Sequence, residues 1–94
     1  MAYTKKEIEE KLALSCTSWA YVFPSIERKY ATKNFDESIR IGNEIAKIAN
    51  QLDHHPELIC KYDTLIIKTH THSASGITDK DFELAKKIDQ ILLT

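Results

Sequence analysis

Ile41, Ile45, Ile48 and Leu52 recur at steps of four, three and four, which places them on a single stripe of an α-helix. A strand cannot present that spacing on one face, so this segment fixes one long helix with an apolar side to cover. Asn34 and Glu37 stand at cap and third-residue spacing, and the helix is expected over about residues 35 to 52. Two shorter segments repeat the device. Thr4 with Glu7 opens a helix over about residues 5 to 14 that carries Ile8 and Leu12. Thr78 with Asp81 opens a final helix whose inward stripe is Leu84, Ile88 and Ile91. Gly42 sits inside the long helix, costs about 1 kcal/mol relative to alanine, and has no reason visible in the sequence.

Between these helices the pattern changes to aromatic and β-branched residues. In SWAYVF, Trp19, Tyr21 and Phe23 alternate onto one face; Pro24-Ser25 reads as a turn, and Ile26, Arg28 and Tyr30 alternate beyond it. After DHHP, the segments ELICKY and TLIIKTHTH read as a second pair of strands. The order is α-β-β-α-β-β-α. It implies a single α+β domain over residues 1–94, with a four-stranded antiparallel sheet and its helices packed on one face. A chain of 94 residues has room for one core and buries only about two-thirds of its unfolded surface, so self-association would help it. An exposed sheet edge gives the same expectation, a homodimer or homotetramer.

Charge narrows the partners. Thirteen Lys and Arg against fourteen Asp and Glu leave no cationic excess for phosphates, and the lysines in KKEIEEK and KDFELAKK are interleaved with acids. Nucleic acid is therefore not an expected partner. Cys16 and Cys60 stand apart, without a CxxC or a dense framework, and are expected as free thiols. MAYTKKEIEEK is too charged for a signal peptide and no apolar run reaches the roughly 18 residues of a membrane span. A cytoplasmic protein with no membrane partner is expected.

All four histidines, His54, His55, His70 and His72, fall in one short stretch of the second half. Imidazole is the side chain best suited to move protons near neutral pH. Pro56 pushes His55 towards an extended backbone, and adjacent rings there project in divergent directions, suiting them to different roles. His70 and His72 are two apart on the expected fourth strand, on the face opposite Leu65 and Ile67, and so point away from the core. Three readings are open: ordinary surface histidines, a zinc or copper site built on HxH, or acid–base catalysis without a metal.

The string DHHPELICKY, followed by THSASGITDKDFELAKKID, resembles the signature region of the pterin-4a-carbinolamine dehydratases. His54-His55-Pro56, Tyr62, His72 and Asp81 stand at the family's spacings, and Gly76-Ile77-Thr78 with Leu84-Ala85 fit its closing turn and helix. Trp19, Ile26, Arg28, Tyr30 and Phe35 extend the likeness upstream, so it covers the chain from about Trp19 onward. Two residues depart from the pattern. Asn50 replaces an acid four residues before His54, and an amide cannot serve as a base; Thr32 replaces an aromatic of the second strand.

The resemblance implies a metal-free dehydratase (hydro-lyase) that needs no cofactor and converts 4a-hydroxytetrahydrobiopterin to quinonoid dihydropterin in tetrahydrobiopterin recycling. His54, His55 and His72 are then the catalytic residues, with His54 and His72 serving the leaving hydroxyl. His55, Asp53 and Asp81 are the substrate-binding residues, although Asp81 also fits the third position of a capping box. Asp53 could also orient His54. Tyr62 is expected in packing, and His70 remains a surface residue. The family's animal members also act as dimerisation cofactors of a homeodomain transcription factor, which implies the alternative of a protein-binding module.

Overall fold

The computed structural model describes residues 2–93. The helices are α1 (Lys5–Ser15), α2 (Phe35–Leu52) and α3 (Asp79–Leu92); the strands are β1 (Ala20–Val22), β2 (Ser25–Ala31), β3 (Glu57–Cys60) and β4 (Thr64–Thr69). All pairings are antiparallel, in the order β1-β2-β4-β3, with the helices on one face as expected. The three helix starts lie where the caps place them. Thr4 and Thr78 head full capping boxes with Glu7 and Asp81, and Asn34 accepts from the Glu37 amide.

Register explains the core. Ile26 pairs with Thr69, Arg28 with Ile67 and Tyr30 with Leu65, while Leu58 and Cys60 of β3 face the same two β4 residues. These positions form the helix-covered face, on which Leu65 and Ile67 are fully buried. They pack with Ile41 and Ile45 of α2, Leu84 and Ile88 of α3, and Ile8 of α1 in one cluster. Asp89 of α3 ties the first hairpin to this layer, accepting from Trp19 Nε1 at 2.8 Å and pairing with Arg28.

Gly42 acquires a partial reason. A Cβ there would stand 3.5 Å from Cys60 Sγ and 3.9 Å from Leu58 Cδ1, which is ordinary contact. Glycine thus lets α2 lie close on β3 without being demanded by the space. Gly76, by contrast, has no room: a Cβ would stand 2.9 Å from that of Ala2. Both cysteines are free, and burial pushes the Cys16 thiol above its ordinary pKa.

Four expectations need correction. Phe23 does not continue the Trp19–Tyr21 face: β1 ends at Val22, and Phe23 sits in the turn with 81% exposure. Tyr62 is not packed but 72% exposed, because β3 stops at Cys60 and the β3–β4 turn carries the ring outward. Thr32 lies just past β2. Its hydroxyl donates to buried Ser38 at 2.7 Å, which in turn donates to the Lys61 carbonyl at 2.6 Å, so a polar bridge occupies this corner. Finally, β4 ends at Thr69, because its neighbours β2 and β3 offer no partner beyond Ile26 and Glu57. His70 therefore follows the strand and His72 opens a short 3-10 turn, His72–Ala74. That turn is closed by a backbone bridge between Thr71 and Gly76.

Candidate active site

The end of α2 sets the first two histidines. Asp53 caps the helix in the left-handed conformation (φ 52°), which bends the chain sharply out of the last turn. The His54 amide still donates to the Ala49 carbonyl at 3.0 Å, and Pro56 then leads into β3. The two rings diverge as expected. The His54 side chain turns inward, only 11% exposed, while His55 stays exposed and lies against the helix end.

Behind His54 is a buried carboxylate. Asp81, in the first turn of α3, has no exposed surface and four donors around it. His54 Nε2–H and the Thr69 hydroxyl donate to Oδ1 at 2.6 and 2.7 Å. The Thr71 hydroxyl and the Thr78 amide donate to Oδ2 at 2.7 and 3.0 Å. A buried carboxylate without partners would be costly, and this one has a donor at each lone-pair direction. Thr69 is on the core face of β4 and Thr71 just past its end, so one acid pins β4, α3 and the end of α2 together. Asp81 presents no surface of its own for the expected substrate contact, and its link to the exposed rings is His54. Among the described residues Asp53 shares no hydrogen bond with His54, whose Nε2 is held by Asp81.

His55 Nε2 lies 2.9 Å from Asn50 Oδ1, one turn back along α2. His70 and His72 meet edge to face, with ring centroids 4.6 Å apart, and His70 Nδ1 lies 3.4 Å from the Ser25 hydroxyl. Two adjoining depressions share His55, His70 and His72 as a common wall. The one of about 350 Å³ is also lined by Asp53, His54 and Lys80; the other, of about 270 Å³, opens past Ser25, Glu57 and Lys68. The helix-to-strand junction and the segment after β4 thus converge on one polar basin. Among the described residues, no three His, Cys, Asp or Glu side chains are grouped so as to hold a metal ion.

His70 was not legible as part of the basin. Its HxH spacing from His72 was the available signal, but a strand reading only turned both rings away from the core, and His70 was read as a surface residue. Ser25 carried no signal of its own, because its contact with a histidine depends on how the chain folds back, and Asn50 was marked only as an amide in an acid's place.

The family model for pterin 4 alpha carbinolamine dehydratase matches residues 1–91. The chain belongs to that family. Membership extends to the first helix, beyond the Trp19 limit read from motifs. A Sulfolobus acidocaldarius relative, provisionally named a pterin-4-alpha-carbinolamine dehydratase, is 38% identical over 91 residues, covering 97% of this chain and 99% of that one. A Sulfurisphaera tokodaii relative with the same provisional name is 39% identical over 89 residues, 95% of each chain. The crystal structure of a Brucella melitensis protein, described as a transcriptional coactivator/pterin dehydratase, superposes with a TM-score of 0.87 at 30% identity. It covers 97% of this chain and 98% of its own. The pterin dehydratase fold is thus shared along nearly the whole length.

Proposed function

We propose that the protein dehydrates a 4a-hydroxytetrahydropterin to the quinonoid dihydropterin, with His54, His55 and His72 as its catalytic residues. The observation that carries this reading is the convergence of those three rings on one depression, in a chain of the pterin dehydratase family. In the reaction the C4a–O bond breaks and the hydroxyl leaves as water with a proton from the enzyme. The N5 proton passes to the enzyme, and the electrons of the N5–H bond form the new N5–C4a double bond. Electrons and protons balance within substrate and imidazoles, so the step calls for no redox partner.

His54 and His72 serve the leaving hydroxyl, while His55 holds the pterin and assists the transfer. Asp81 supports this by fixing the His54 ring and offering counter-charge when that ring carries a second proton. Asp53 takes the polar edge of the heterocycle in this reading, which its exposed position on the wall of the depression supports. A cytoplasmic role in tetrahydrobiopterin recycling, acting as a homodimer or homotetramer, is part of the same reading. The unpaired outer edges of β1 and β3 support self-association. No helix among the described residues is long and apolar enough to cross a bilayer.

The double description of the Brucella structure favours one alternative, a partner-binding module with residual turnover. Stopped-flow absorbance with a synthetic 4a-carbinolamine separates the two. Positioned acid–base groups should accelerate dehydration about 10²–10⁴-fold over the spontaneous rate. A rate equal to the protein-free control would leave only the binding module.

A further inference from the structure

The proposed reaction needs an acceptor for the N5 proton, and one histidine is prepared for that task by a residue outside the catalytic set. Asn50 Oδ1 lies 2.9 Å from His55 Nε2. A carbonyl oxygen only accepts, so Nε2 carries the hydrogen and Nδ1 of the neutral ring holds the lone pair. Among the described residues Nδ1 has no hydrogen-bond partner, and the exposed His55 ring forms part of the wall of both depressions. The contact exists because the Asp53 amide donates back to the Asn50 carbonyl at 3.3 Å, folding the chain over the last turn of α2.

We propose that Asn50 is a positioning residue: it fixes His55 as the Nε2–H tautomer and leaves Nδ1 as the proton acceptor of the basin. This rests on the dehydratase reading for its role in turnover. The contrast with the neighbouring ring sharpens it. His54 is backed by a carboxylate, which can partner an imidazolium; His55 is backed by a neutral amide, which orients the ring and supplies no counter-charge. Two adjacent histidines are thereby assigned opposite duties. His55 Nδ1 takes the N5 proton as the N5–C4a double bond forms, and the His54 or His72 ring gives a proton to the departing hydroxyl.

Nitrogen-15 spectra of the histidine rings in the full chain test this, alongside kcat and KM. The native protein should show His55 in the Nε2–H form alone. In Asn50→Leu the Nδ1–H form should appear, with kcat down about 10-fold and KM little changed. Asn50→Asp, whose carboxylate accepts the same hydrogen, should restore the single tautomer. Unchanged His55 signals in Asn50→Leu, or a mixed tautomer in the native protein, would overturn the proposal. A tautomer change in a protein that never shows turnover would support the Asn50 contact and sink the dehydratase reading instead.

Discussion

Asp81→Asn should lower stability by about 3 kcal/mol, the range for removing one partner of a buried, fully hydrogen-bonded charge. The side chain keeps its volume, so no cavity forms; what changes is the count of acceptors. Four donors converge on the carboxylate from α2's end, β4, the segment after it and the α3 cap. An amide offers one acceptor oxygen and turns an NH2 group on the other pair. The threonine hydroxyls can rotate to accept, but the Thr78 amide cannot. The asparagine oxygen must therefore turn to it and the NH2 group to His54, which accepts only by moving its own hydrogen to Nδ1. Charge-assisted bonds become neutral ones and the His54 ring loses its native tautomer, in a site with no solvent. For a domain of this size the melting temperature should fall by roughly 12–20 °C. Thermal unfolding followed by circular dichroism reads it directly. A shift of only a few degrees would mean that the Asp81 cluster is incidental to the fold.

His72→Ala should do the reverse, removing activity and sparing the fold. His72 is exposed, and its structural duty is a backbone one: its carbonyl accepts from the Ser75 amide at 3.0 Å in the turn closed by Thr71 and Gly76. Alanine keeps that bond. The ring itself touches His70 and borders the basin, so its loss should cut the dehydration rate about 10²-fold, the lower end of what one acid–base group supplies. The melting temperature should move by no more than a few degrees, as for other exposed substitutions away from packed features. A full rate in stopped-flow would remove His72 from the chemistry. A large loss of stability would instead assign it to the architecture.

These two substitutions also show which parts of the molecule could be read in advance. The helices were legible because their signals are local: a cap residue three positions before its acid, then apolar residues at helical steps. The core face of β4 was legible for the same reason, since alternation alone places Leu65 and Ile67 together. The end of β4 was not, because a strand stops where its neighbours stop, and that is set by pairing with β2 and β3. The same limit governs the site. His54, His55 and His72 were marked out by the family resemblance, since residue type and spacing alone offered His70 as well. The Asp81–His54 contact joins residues 27 apart in sequence, and nothing in the capping pattern of Asp81 points to a histidine. Its role as a cap was visible; its second role needed the sheet to bring the end of α2 against the start of α3. Asn50 shows a subtler case. As an amide in an acid's place it looked like a loss, yet its carbonyl oxygen meets a ring nitrogen five residues on.

Everything proposed for the site depends on rings from two separate chain segments touching a single heterocycle. Proton NMR of the histidine rings during titration with a stable 7,8-dihydropterin, which cannot be dehydrated, tests that most directly. The expected result is that His54, His55 and His72 signals shift together along one saturation curve. If only one segment's histidines respond, or the segments saturate at different concentrations, the shared basin is not a pterin site.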